Sequence, residues 1–144
     1  MQPFHHLLMK AHTAMHKRIM TGAANHKLTA GQPKILEFLS VTGVADQKTI
    51  AQHCEIEPAT VGSILGRMEE SGLITRSREE GNRRSLFVIL TERGKVAAEQ
   101  TEKLFREGEE TALAGIDEKD RQLLCKLLDK VYHNLKDGED KRDE

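Results

Sequence analysis

Apolar residues recur at intervals of three and four along most of the chain, which is the spacing of helices with one buried face. The first such stripe predicts a helix over residues 4–24. Thr29 is expected to cap a second helix that ends at Gly43, and Asp46 is expected to cap a short third helix. The stripe of the first helix consists of Phe4, Leu8, Ala11, Met15 and Ile19.

The middle of the chain changes from helical to strand-like patterning. A turn over residues 55–57 leads to a fourth helix that opens at Pro58, where a missing N–H is harmless, and ends at Gly72. Two β-prone runs follow, over residues 74–78 and 86–90, with glycine and asparagine between them to reverse the chain. This order predicts a helix-turn-helix followed by a β-hairpin, or wing.

Two more helices complete the pattern. Thr91 is expected to cap the fifth, which extends to about Gly115, and Asp117 is expected to cap the sixth. The apolar stripe of the sixth helix consists of Leu124, Leu127, Leu128, Val131 and Leu135. The sequence therefore predicts a mainly α fold with a small β-wing: a winged helix-turn-helix of six helices and one hairpin.

The fourth helix has two contrasting faces. Its inward positions, spaced i, i+3, i+4 and i+7, are Val61, Ile64, Leu65 and Met68. Its outward positions are Ala59, Gly62, Ser63 and Gly66, flanked by Thr60 and Arg67. Small side chains allow a helix backbone to lie deep in a DNA major groove, where hydroxyls reach bases or phosphates. The alternative is that two glycines only weaken an exposed helix, by about 1 kcal/mol each relative to alanine.

Arginines are concentrated on the predicted wing. Arg83 and Arg84 lie at or beside its tip, and an arginine there can enter a narrow minor groove with its enhanced negative potential. Arg76 and Arg78 alternate on one face of the preceding strand, from which they can reach phosphates. The alternative is a solvated hairpin whose arginines pair with neighbouring glutamates.

Composition narrows the class of protein. A chain of 144 residues suits one domain, and its formal net charge of -1 neither favours nor excludes DNA, so the local arginine cluster carries more weight. No apolar run approaches the roughly 20 residues of a membrane helix, and the N-terminus is unlike a signal peptide. Cys54 and Cys125 form no CxxC pair, which suits a reducing cytoplasm.

Enzyme motifs are lacking from the sequence: it contains no GxGxxG, phosphate-binding loop, HExxH or nucleophile elbow. We therefore expect neither an enzyme nor a bound cofactor. The competing class is a winged-helix module that binds protein and not DNA, and such a module would not require arginine at the wing tip.

The chain resembles the MarR family of bacterial transcription regulators over nearly its full length. The resemblance is carried by the helix ATVGSILGRMEESGLI, the wing GNRRSLFVILTERG and the flanking terminal helices. It implies a winged-helix homodimer whose terminal helices interlock. It also implies that two recognition helices enter successive major grooves of a pseudo-palindromic operator in double-stranded DNA, usually to repress transcription.

Residues of the family's DNA-binding surface correspond to particular positions here. The resemblance places the recognition residues at Pro58, Ala59, Thr60, Ser63 and Arg67. It places the wing arginines at Arg83 and Arg84, and phosphate contacts at Gln47, Lys48 and Thr49. This chain departs from the family pattern at two places that concern the reading of DNA bases. Asn82 stands where the family usually has an aspartate, and Ser63 or Gly66 stands where the family often has a long or charged side chain.

The terminal helices also favour a homodimer on physical grounds, since their apolar stripes lie outside the winged-helix unit and must be covered. The alternative is that they fold back on their own subunit. We expect a single intertwined domain with three parts. These are an N-terminal dimerisation helix over 1–28, the DNA-binding lobe over 29–91 and C-terminal dimerisation helices over 92–144.

The resemblance also implies a small-molecule effector that alters operator affinity. Met9, Met15 and Phe38 are candidates for an adaptable apolar pocket beside His12 and His16. The two histidines are spaced i, i+4 and could alternatively contribute to a metal site, although zinc needs more ligands. Oxidant sensing requires an activated thiol. Neither cysteine fits, because Glu55 should raise the pKa of Cys54, and Cys125 is expected to be partly buried in the leucine-rich helix.

Overall fold

The computed structural model describes residues 1–78 and 86–142. Six helices and a β-wing appear there in the predicted order, which confirms the fold class. The elements are α1 (Phe4–Ala24), α2 (Gln32–Thr42), β1 (Val44–Asp46), α3 (Gln47–Cys54), α4 (Pro58–Glu70), β2 (Ile74–Arg78), β3 (Leu86–Leu90), α5 (Glu92–Ala112) and α6 (Glu118–Asp140).

The wing strands belong to a three-stranded antiparallel sheet of order β1-β3-β2. Val88, at the centre of β3, pairs with Ala45 of β1 on one side and with Arg76 of β2 on the other, and its side chain is fully buried. The sequence pattern did not predict β1. A strand of three residues between Gly43 and α3 is too short to show an alternation of its own, and it exists because β3 supplies a partner.

Three predicted helix caps are confirmed by hydrogen bonds. The Asp46 carboxylate accepts a bond of 2.7 Å from the backbone N–H of Thr49 at the start of α3. The Asp117 carboxylate does the same for α6, and the hydroxyl of Thr91 accepts from the N–H of Gly94 in α5. Each bond satisfies a backbone donor that the first helical turn leaves unpaired.

Three local expectations were wrong. Thr29 does not cap α2; the residue at that position is Gly31, whose φ of 84° is in the left-handed region, and the N–H of Thr29 instead donates to the side chain of Gln32. The fifth helix ends at Ala112, before Gly115. Cys125 is exposed, not partly buried.

The main core lies between α2, α3, α4 and the sheet. Its largest fully buried side chains include Ile35, Leu36, Leu39, Ile50, Leu65 and Met68. The inward face predicted for α4 is confirmed, since all four of its apolar residues are buried. Burial of each such side chain stabilises the fold by roughly 1.5–3 kcal/mol. The buried face of α4 thus fixes which of its residues are presented to solvent.

The chain divides into two compact units, Met1–Gly108 and Glu109–Glu144. The first contains the core described above. In the second, α6 has no buried residue, and the leucines of its apolar stripe are exposed, with Leu127 at 50% and Leu135 at 64%. An exposed stripe of this kind on a long helix is typical of a surface that is covered by another chain.

Candidate nucleic-acid interface

The helix-turn-helix consists of α3, a tight turn and α4. Glu55 makes the turn with a φ of 55°, and Pro58 occupies the first turn of α4, as its sequence position predicted. The α3 residues Lys48 and Thr49 are exposed. The pKa of the Asp46 carboxyl lies below its ordinary value, mainly because the carboxylate accepts the hydrogen bond from the N–H of Thr49. The nearby charge of Lys48 lowers this pKa further.

The outer face of α4 presents small and polar groups. Pro58, Ala59, Thr60, Ser63 and Arg67 are all exposed, while the opposite face is in the core. This arrangement brings the five predicted recognition residues onto one continuous surface. An exposed face with hydroxyls and one arginine can donate hydrogen bonds to phosphates or base edges.

The two glycines of α4 are half-buried and not fully outward as the helical spacing suggested. A Cβ on Gly62 would lie 3.3 Å from Nε2 of Gln47, and a Cβ on Gly66 would lie 4.0 Å from Nη2 of Arg76. Gln47 therefore packs over α4, and its Oε1 is buried without a hydrogen-bond partner among the described residues. Of the α3 residues expected to meet phosphates, Gln47 alone faces the protein.

The two arginines of β2 differ in their surroundings. The guanidinium of Arg76 lies 3.4 Å from the Glu69 carboxylate, which also accepts a bond from the Arg76 backbone N–H. Arg78 is exposed. The pair between Arg76 and Glu69 is partly exposed and contributes about 0–1 kcal/mol, so a phosphate can replace the carboxylate at small cost. Arg83, Arg84 and Asn82 lie outside the described residues.

A small cavity of about 140 Å³ lies between α1, α2 and α5. Three candidates for an effector pocket, His12, Met15 and His16, line it together with Lys34 and Phe105, which the sequence did not indicate. The other two candidates do not line it. Met9 is 64% exposed, and the ring of Phe38 stacks on that of His53 with centroids 4.1 Å apart. Lys34 and Phe105 belong to helices distant in sequence, so only the fold reveals them.

Metal and thiol chemistry have little support in the described part of the chain. The rings of His12 and His16 stack at 6.0 Å, yet no group of three histidine, cysteine or acidic residues there could hold a metal ion. Burial raises the pKa of the Cys54 thiol, and Glu37 adds to the rise while Lys34 opposes it. Burial, and not Glu55, is thus the main reason that Cys54 is a poor nucleophile.

A helix-turn-helix with an exposed second helix, followed by an antiparallel wing, defines a winged helix-turn-helix protein. The sequence profile of the MarR family matches residues 28–86, which cover the lobe from the end of α1 to the start of β3. Residues 28–86 of this chain therefore form a domain that matches the MarR family.

Relatives extend the likeness beyond this lobe. The HTH-type transcriptional regulator YwaE of Bacillus subtilis is 33% identical over 101 residues, 70% of this chain and 59% of that protein. This chain therefore spans less than two thirds of YwaE. The HTH-type transcriptional repressor Rv2887 of Mycobacterium tuberculosis is 22% identical over 90% of this chain and 93% of its own length.

Solved structures show the same fold. A MarR family regulator from Listeria monocytogenes, complexed with 26mer DNA, superposes with a TM-score of 0.89 at 20% identity, covering 95% of this chain and 91% of that one. BpsR of Bordetella bronchiseptica, whose DNA binding is regulated by 6-hydroxynicotinic acid, superposes with a TM-score of 0.79 at 24% identity, covering 88% and 96%. None of the helices among the described residues is long and apolar enough to cross a membrane.

Proposed function

We propose that this chain is a sequence-specific DNA-binding regulator that represses transcription as a homodimer and responds to a small-molecule effector. The observation that carries the proposal is the outer face of α4, where the predicted recognition residues share one exposed surface. Relatives named as transcriptional repressors and a DNA complex of a MarR family protein with this fold support it. We propose no enzymatic activity and place the protein in the cytoplasm, where its DNA is.

The contacts we assign to DNA are of two kinds. Side chains of α4 would enter the major groove, while Lys48, Thr49 and Arg78 would bind backbone phosphates. Arg76 would also bind a backbone phosphate, which would replace the Glu69 carboxylate as the partner of its guanidinium. Gln47 would act indirectly, because it packs over Gly62 and so sets the separation of α3 and α4. Arg83 and Arg84 would enter the minor groove.

We place the dimer interface on the terminal helices. In the first unit, α1 exposes Phe4 at 58% and Leu7 at 46%. In the second unit, α6 exposes its leucine stripe. Burying two such stripes against their symmetry mates is the usual arrangement for an obligate dimer. Residues 1–28 and 92–144 would thus serve dimerisation, and residues 29–91 would form the DNA-binding lobe.

The cavity between α1, α2 and α5 suits a small organic anion. Met15, Ile19 and Phe105 supply apolar contacts, and Lys34, with His12 and His16, supplies donors for a carboxylate. A solved structure of NadR holds 4-hydroxyphenylacetate. The cavity is smaller than the roughly 300–1,000 Å³ of most ligand pockets. Entry of an aromatic acid would therefore separate the helices that line it and shift α2, which packs on α3.

The test is fluorescence anisotropy of the full chain with labelled duplex DNA from upstream of its own gene. A regulator binds specifically, and its affinity falls steeply with added salt because phosphate contacts release counterions. A winged-helix module that binds protein would show no specific binding even at low salt. That result would contradict the proposal.

A further inference from the structure

A second cavity, of about 300 Å³, lies between the end of α1 and the first turns of α5. Its polar lining consists of Asn25, His26, Lys27, Arg93 and Gln100, and its apolar lining includes Leu73 and Val96. Among the described residues, none with a carboxylate lines this cavity, although the chain as a whole carries a formal net charge of -1. A concave surface of cationic and amide donors favours an anion.

The lysine and the arginine of this cavity, Lys27 and Arg93, have no acidic partner in the described part of the chain. Some other cations of the same unit are paired: Arg106 lies 3.8 Å from Glu102, and Lys103 lies 3.9 Å from Glu107. No carboxylate lies within 4.0 Å of Arg93 or Lys27 among the residues that the structure describes. Their charges are therefore available to a ligand.

Both cations lie beside distinctive backbone features, Arg93 at Gly72 and Lys27 at the end of α1. Arg93 extends along Gly72, with its Cδ and Nη1 4.0 Å from where a Cβ on Gly72 would lie. Lys27 has a φ of 60°, the left-handed conformation that glycine and asparagine usually supply after a helix. The N–H of Leu28 closes this helix end by donating to the carbonyl of Ala23 at 3.0 Å. A lysine is thus held in a conformation that asparagine would adopt more readily.

We propose that this cavity binds a phosphate group. Arg93 would provide a planar fork of donors, Lys27 a compact positive charge, and the carboxamides of Asn25 and Gln100 neutral donors. The phosphate belongs either to the DNA backbone, beyond the contacts of α4 and the wing, or to a free phosphorylated ligand. The two sources share the same chemistry at the site. Phosphate binding here does not require the proposed regulatory function.

Two variants and one control test the proposal in the full chain. Arg93→Gln and Lys27→Asn each remove one charge, and asparagine suits the left-handed backbone at position 27, so loss of binding cannot be explained by unfolding. Lys119→Gln makes the same charge change at an exposed position of the second unit. The probe is inorganic pyrophosphate, followed by ¹H–¹⁵N chemical shifts at constant ionic strength.

The expected result is that pyrophosphate shifts the amides of residues 25–27 and 93 in the wild type and in Lys119→Gln. The apparent Kd should rise at least tenfold in the other two variants. Salt titrations of DNA binding then identify the source. A slope reduced by about one in Arg93→Gln indicates a DNA phosphate, and an unchanged slope indicates a free ligand. No shift in the wild type, or equal weakening in Lys119→Gln, would overturn the proposal.

Discussion

Gly94 lies directly against the carbonyl oxygen of Leu73, at the junction where α5 meets the segment that leads from α4 into the wing. Thr91 strengthens this junction, since its N–H donates to the same carbonyl and its hydroxyl donates to the carbonyl of Gly72. The start of α5 is thereby fixed to the segment between α4 and the wing. The geometry of the candidate DNA-binding surface depends on this contact.

Gly94→Ala should destabilise the protein, because the added Cβ has no space unless the backbone of Leu73 moves. Overpacking of this kind typically costs about 1–3 kcal/mol or more. Urea unfolding measures the change. The matched control is Gly138→Ala in α6, where nothing lies within 4 Å of the added Cβ, so that helix propensity alone should stabilise by about 0.5–1 kcal/mol. Equal effects of both changes would disprove the role of the contact.

Arg67→Ala should weaken operator binding at least tenfold, which corresponds to about 1.4 kcal/mol. Its side chain lies on the exposed face of α4, so the unfolding free energy should change by less than about 0.5 kcal/mol. Anisotropy titrations at two salt concentrations measure the affinity. Arg106→Ala on α5 serves as the control and should bind DNA as the wild type does. An Arg67 variant with unchanged affinity would remove this residue from the interface.

Asp46→Asn should remove a pH-dependent part of the stability. Because folding lowers the pKa of this carboxyl, the ionised cap stabilises the fold above its unfolded pKa of about 3.9, and that stability is lost as pH falls through the lower folded value. The wild type should therefore lose more stability than the variant as the pH falls from about 5 through the folded pKa of this carboxyl. Identical losses, measured by thermal unfolding, would show that another group is responsible. Asp46→Ala should cost about 1 kcal/mol at neutral pH.

Local signals in the sequence predicted local structure well. Asp46, Thr91 and Asp117 were recognised as caps because each acts on a backbone N–H three residues away at most. The prediction that Thr29 caps α2 was wrong, although threonine has the side chain of a capping residue. The helix instead begins after Gly31, which provides the left-handed turn that α2 requires.

Features that depend on distant pairing were not visible in the sequence. The strand β1 forms only by pairing with β3, which lies beyond α3, α4 and β2 in the sequence. The ion pair between Arg76 and Glu69 forms because β2 returns along α4. The partial burial of Gln47 depends on Gly62, over which it packs. In the cavity between α1, α2 and α5, Lys34 and Phe105 become neighbours of His12 only through tertiary packing.

The central claim is that two copies of α4 read one DNA duplex, and hydroxyl-radical footprinting upstream of the protein's own gene tests it most directly. The account predicts two protected half-sites related by a twofold axis, with centres about 10–10.5 base pairs or a multiple apart, and predicts that both disappear in Arg67→Ala. A single protected segment, or protection that survives unchanged in Arg67→Ala, would contradict it.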